Sequence, residues 1–156
     1  MTTTTISRSR PRRPAPQAAP AGEHVFVLPL EHGPLAPATA RHAARPVLTT
    51  WGLTEDQIYD TLLVISELVT NAVTHALPPV VLHLRATADG AGHVRVHVGD
   101  GGPRPPSAAT GWAANRPADE HGRGDTIITT LAHHTGTGTD PDIDGLIDHW
   151  ADLTAA

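Results

Sequence analysis

Residues 65–76, ISELVTNAVTHA, constrain this chain more than any other stretch. They continue a helix that opens at Thr54-Glu55-Asp56-Gln57. That tetrad is a capping box, in which the Thr hydroxyl takes the Gln57 amide while the Gln57 side chain reaches back. Ile58, Leu62, Ile65, Val69, Ala72 and Ala76 then recur at helical spacing and form a stripe facing a core. Pro78 and Pro79 end the helix. Glu67 and Asn71 lie on the side opposite the stripe, about 40° and about 6 Å apart. A solvated face is the plain reading of such a pair, but Leu63, Val64 and Leu68 crowd around it. A helix apolar on both sides, with one carboxylate and one amide among the apolar groups, reads as carrying a site on its second face.

The chain has 156 residues, enough for one domain with a real core. Aromatics are 3% of it, so the interior must come from Val, Leu, Ile and Ala. There is no Lys, which excludes the Walker A phosphate loop and the conventional protein-kinase apparatus. There is no Cys either, so disulfides, thiolate metal sites and cysteine nucleophiles are excluded. Residues 1–22 carry a charge of +4 and the remaining 134 carry −9. An acidic body argues against direct binding to nucleic acid. No apolar run approaches the ~18 residues of a membrane span. Arg12 and Arg13 are followed by Pro14, Pro16 and Pro20 where an export signal needs a hydrophobic stretch. The expectation is a cytoplasmic protein with no membrane contact.

Residues 1–22 read as a disordered, basic, Pro/Ala-rich tail, and 23–156 as a single domain. Within the domain, His24–Leu30 suits an edge strand, since it contains Pro29. A helical stretch follows from Pro37 to Trp51, with Pro46 expected to kink or divide it and Gly52 to stop it. Val80–Ala86 and His93–Gly99 read as two strands of a hairpin; Val94, Val96 and Val98 alternate with Arg95 and His97, as in a sheet with one wet face. A Gly/Pro-rich loop of some twenty-five residues follows Gly99 and reads as a lid. A helix over about Asp125–His133 and a strand near Leu146–Leu153 complete the domain.

Two further stretches bear on chemistry. In VRVHVGDGGPRPP a strand ends in Asp100, followed by Gly101 and Gly102. A buried Asp can accept a hydrogen bond from an exocyclic amino group, and glycines admit a flat ring or a close backbone. Taken alone, the same residues also make a plain turn. In DEHGRGDTIITTLA, Gly122 and Gly124 flank Arg123 and lead into a helix. Amides at a helix start suit a phosphate chain, though a flexible helix start has the same composition.

A helical Glu-x3-Asn, a strand ending in Asp-x-Gly, and a lid closing on Gly-x-Gly follow one another in order. Together they resemble the signature of the GHKL (gyrase, histidine kinase, MutL) ATPases, whose ATP-binding unit is the Bergerat fold. SELVTNAVTHA and EHGRG look most like the anti-sigma regulatory factors, which are serine/threonine protein kinases of that superfamily. The resemblance covers roughly residues 24–153. It implies an α/β, two-layer sandwich: a mixed, mostly antiparallel sheet with helices on one face. It further implies ATP and Mg²⁺ as cofactors, with Asn71 giving an oxygen to the metal and Glu67 orienting or deprotonating the attacking hydroxyl. Asp100 would accept from the adenine amino group and Gly102 would leave room for the ring. Gly122 and Gly124, aided by Arg123, would wrap the phosphates. The implied function is phosphorylation of Ser or Thr on an antagonist protein, together with sequestration of a sigma factor. Homodimerisation is likewise implied by the resemblance alone.

Two departures motivate a second reading. Asp125 stands where the family has an aliphatic residue. Gly145-Leu146-Ile147-Asp148 replaces the family's Gly-Lys-Thr at the last strand, after which Trp150-Ala151-Asp152-Leu153 recovers its ending with one extra residue. The alternative is a nucleotide-gated binding module with little or no kinase turnover. Asp140, Asp142, Asp144 and Gly145 mimic a calcium-binding loop. The position that needs Glu holds Ala151, however, so this stretch reads as an acidic turn. The eleven histidines offer no third ligand at metal-binding spacing.

Overall fold

The valine alternation of residues 94–98 builds the centre of a five-stranded sheet. The computed structural model describes residues 22–88, 92–105, 121–139 and 145–154, the side chains of 121–125 excepted. Residues 1–21 of the basic tail, residues 106–120 of the lid loop and residues 140–144 of the acidic turn lie outside the described residues. In chain order the elements are β1 (Glu23–Leu30), α1 (Ala36–Thr50), α2 (Glu55–His75), β2 (Val80–Thr87), β3 (Val94–Asp100), α3 (His121–Leu131), β4 (His134–Thr139) and β5 (Ile147–Leu153). The sheet runs β1-β2-β3-β5-β4, and each neighbouring pair is antiparallel. This is the α/β architecture expected, with antiparallel pairing throughout the described strands.

Register decides which side chains meet the helices. Leu82 pairs with Val98 and Leu84 with Val96, while Val96 pairs with Ala151 and Val94 with Leu153. These residues share one face and are buried in a single cluster with Leu48, Ile58, Ile65, Val69 and Ile128 of the three helices. The helices therefore cover this face. Thr54 caps α2 as its sequence requires: the Gln57 amide donates to Thr54 Oγ1 at 3.2 Å, and the Thr54 amide donates to Gln57 Oε1 at 2.8 Å. Val64 and Leu68 are buried as fully as the main stripe, so α2 is packed on two sides. On the opposite face of the sheet, Arg95 grips the Asp152 carboxylate with Nε and Nη2 and lies over the Trp150 ring, 5.3 Å from its centroid.

Three elements differ from expectation. Helix α1 runs unbroken through Pro46. Pro46 and His42 are both exposed, so the carbonyl deprived of its donor lies on the wet side of the helix. Helix α3 begins at His121, four residues earlier than the sequence suggested, and closes at Leu131. Strand β4, residues HTGTGT, was not anticipated. It has no apolar alternation and sits at the sheet edge, where pairing with β5 defines it. Gly136 is required there, since a Cβ would come within 2.4 Å of the Trp150 ring. No helix among the described residues is long and apolar enough to cross a membrane.

Candidate functional site: a cavity between α2 and the end of the sheet

The last turn of α2 and the segment after β3 are laced together by their backbones. The Gly101 amide donates to the Leu77 carbonyl at 2.7 Å, the Leu77 amide to the Gly102 carbonyl at 2.9 Å, and the Arg104 amide to the His75 carbonyl at 2.8 Å. Ala76 and Pro103 form an isolated antiparallel bridge alongside. Gly101 is what allows this approach: a Cβ there would sit 2.1 Å from the Pro78 carbonyl oxygen. Gly102 follows with φ +92, in the left-handed region that glycine enters without penalty. Its amide turns back to donate to Asp100 Oδ1 at 2.8 Å.

Asp100 is thereby fixed at the foot of β3, with 2% of its surface exposed. It opens onto a cavity of ≈ 600 Å³ whose apolar walls include Leu68, Ala72 and Ile147. Asn71 projects into the same cavity from α2, and Thr137 and His149 from the sheet. A concave, mostly apolar space with a few convergent polar groups is the usual form of a small-ligand site.

The second oxygen of Asp100 is also engaged. His149 Nε2 lies 3.1 Å from Asp100 Oδ2, and His149 Nδ1 lies 3.2 Å from Thr137 Oγ1. Hydrogen bonding to Asp100 raises the His149 imidazole above its ordinary value against an opposing desolvation, with the negative charges of Asp100 and Asp148 adding to the rise. Sequence reasoning passed over His149. The signal was the alternation of β5, in which Leu153, Ala151, His149 and Ile147 share the core-facing side. The extra residue in this strand hid that register, and Asp148 falls on the other face.

The remaining residues predicted from sequence are placed as follows. Glu67 is half-buried, one turn before Asn71 on α2, and does not line the cavity. Gly122, Arg123 and Gly124 fall in the first turn of α3. Amides in a first turn lack intrahelical partners, so these three belong to the set available to a ligand. Among the described residues no group of three or more His, Asp or Glu is arranged to hold a metal ion. Asn71 alone suits a metal that arrives with a phosphate ligand, since Mg²⁺ retains waters and is commonly held by one or two side chains plus phosphate oxygens.

Fold and cavity together define an α/β sandwich with a cavity between its helical layer and one end of its sheet. The chain belongs to the histidine kinase-like ATPase domain family, whose sequence model matches residues 33–142, more than half of its length. Among solved structures it is similar to the RsbU and RsbW domains of Rv1364c from Mycobacterium tuberculosis, with a TM-score of 0.60 and 20% identity. That match covers 84% of this chain and 32% of the other, so this chain spans about a third of that structure's length. The likeness is one of fold. No curated protein matches the sequence.

Proposed function

We propose that this protein binds Mg²⁺·ATP in the cavity between α2 and the sheet and phosphorylates a Ser or Thr of an antagonist protein, and that it sequesters a sigma factor when that antagonist is absent. The observation that carries the reading is the buried Asp100 carboxylate opening onto a ≈ 600 Å³ cavity shared with Asn71. Asp100 would accept from the adenine amino group, with the Gly102 amide holding its other oxygen in place. Asn71 would give its side-chain oxygen to Mg²⁺, and the first-turn amides of α3 at Gly122, Arg123 and Gly124 would meet the phosphates. Bound Mg²⁺ supplies the charge neutralisation that phosphoryl transfer needs.

In that reaction the substrate hydroxyl oxygen bonds to the γ-phosphorus and the bond to the β,γ-bridging oxygen breaks, releasing ADP. Glu67 would orient the hydroxyl or take its proton. The chain has no Lys, so the metal, the α3 amides and Arg123 must provide the positive potential.

The test is calorimetric titration of Mg²⁺·ATP into the wild type, Asn71→Ala and Asp100→Asn. Both variants are expected to lose at least about tenfold in affinity, which is about 1.4 kcal/mol. No wild-type binding at millimolar ATP would overturn the reading. A second reading, a nucleotide-gated binding module with little turnover, is favoured by the hold of His149 on Asp100 and by Asp125, which stands where the family has an aliphatic residue. Assay of radiolabelled phosphate transfer separates the two: an ATP-dependent protein complex without transfer supports the module.

A further inference from the structure

The histidine on Asp100 lies in the place where the base would need an acceptor. Asp100 has two oxygens and two partners of different kinds. The Gly102 amide at Oδ1 is backbone, fixed by its left-handed turn and by the lacing to α2. The His149 imidazole at Oδ2 is a side chain with 40% of its surface exposed, and its Nδ1 lies 3.2 Å from Thr137 Oγ1. With 2% of Asp100 exposed, an incoming donor reaches it through the cavity that His149 also lines.

We propose that His149 is an affinity-determining residue of the base pocket, an internal competitor that must leave the Asp100 carboxylate before an adenine amino group can bind there. The proposal rests on the reading of this cavity as a nucleotide site. Its physics is an exchange of donors. A protonated imidazole on a carboxylate makes a charge-assisted hydrogen bond, roughly twice as strong as one from a neutral group. The adenine amino group is neutral, so it exchanges poorly with an imidazolium and readily with a neutral imidazole. Binding of the base therefore releases the proton of His149, and the nucleotide binds more tightly as pH rises.

The charges around His149 favour the protonated form. Asp100 faces it from β3, and Asp148 precedes it on β5. From β4 comes only the uncharged Thr137 hydroxyl, and from α2 the cavity receives His75. The rise in the His149 titration agrees with this arrangement.

The experiment is calorimetric titration of Mg²⁺·ATP into the wild type and His149→Gln, from about pH 6 to about pH 8.5, on either side of the ordinary imidazole value of ~6.5. The phosphates of ATP titrate in both proteins, so the comparison isolates His149. Wild-type affinity should rise over this range by at least about fivefold more than that of the variant, within the limit of about tenfold per pH unit for one released proton. At about pH 6 the variant should bind more tightly than the wild type. The same pH profile in both proteins overturns the proposal and leaves the nucleotide reading standing. Absence of ATP binding in both folded proteins at every pH removes the nucleotide reading and the proposal with it. A measurement on the wild type alone gives an independent check. The NMR titration midpoint of the His149 imidazole should fall when ATP saturates the site, and an unchanged midpoint overturns the proposal.

Discussion

Gly101 and Pro78 touch backbone to backbone: a Cβ on Gly101 would lie 2.1 Å from the Pro78 carbonyl oxygen, closer than any real contact. This approach seats Asp100, because the lacing of residues 101–104 against 75–78 anchors the end of β3 to the end of α2. Gly101→Ala should therefore destabilise the fold by about 1–3 kcal/mol, the range for forcing atoms into a packed site. Gly102→Ala differs in kind. No described atom lies within 4 Å of its Cβ, so its cost is that of the φ of +92 alone, about 1–2 kcal/mol. Urea denaturation gives both values. Gly101→Ala should in addition impair ATP binding more than Gly102→Ala, since it moves the carboxylate itself.

The ion pair between His149 and Asp100 should leave a signature in stability as well as in binding. A group whose folded-state value is raised contributes fully below its unfolded value, about 6.5 for His. That contribution is lost as pH rises through the raised folded-state value. The stability difference between wild type and His149→Gln should thus be larger near pH 6 than near pH 9. With His149 substantially exposed, the difference should stay below about 1 kcal/mol. Thermal melts across this pH range test it, and a difference that grew with pH would contradict the pairing.

The helix that carries the site was legible because its signals are local. Thr54 and Gln57 announce its start, and Ile58, Leu62, Ile65 and Val69 announce its buried stripe. Val64 and Leu68, packed on the other side, marked it as a helix with two occupied faces. Asp100 was legible for the same reason, as the carboxylate that ends a run of alternating valines. What could not be read was set by pairing between distant strands. Strand β4 holds only His, Thr and Gly, and neither hydrophobic period nor β-branched run distinguishes HTGTGT from a loop. His149 faces Asp100 because β5 pairs with β3 in a register that puts Val98 opposite His149. A slip of one residue would have turned Asp148 into the cavity in its place. Helix α1 shows local reasoning failing in the other direction, since the cost of Pro46 depends on whether the freed carbonyl is wet.

On the outer face of the sheet, His97 Nδ1 lies 2.7 Å from Asp148 Oδ2, and both side chains are largely buried. Removing one member strands the other, which costs about 1–3 kcal/mol for an unsatisfied buried polar group. Asp148→Ala and His97→Ala should each be destabilising in that range. Asp148→Ala/His97→Ala together should cost less than the two single changes added, because the stranded partner is gone. Additive costs in the double-mutant cycle would mean that the pair contributes nothing of its own.

Thr54→Ala isolates the start of α2 from the site at its other end. The substitution removes the oxygen that accepts from the Gln57 amide, and the typical loss at such a cap is about 1 kcal/mol. Asn71 lies more than four turns along the helix from Thr54, and Asp100 is anchored to the far end by the lacing around Leu77. The variant should therefore unfold at lower urea while binding Mg²⁺·ATP with wild-type affinity under native conditions. The comparison separates loss of stability from loss of the site, which Gly101→Ala combines. If Thr54→Ala weakened ATP binding as strongly as Gly101→Ala, the cavity would depend on the whole of α2 and not on the local seating of Asp100. Calorimetry on the two variants at one temperature, well below both unfolding transitions, decides between these outcomes.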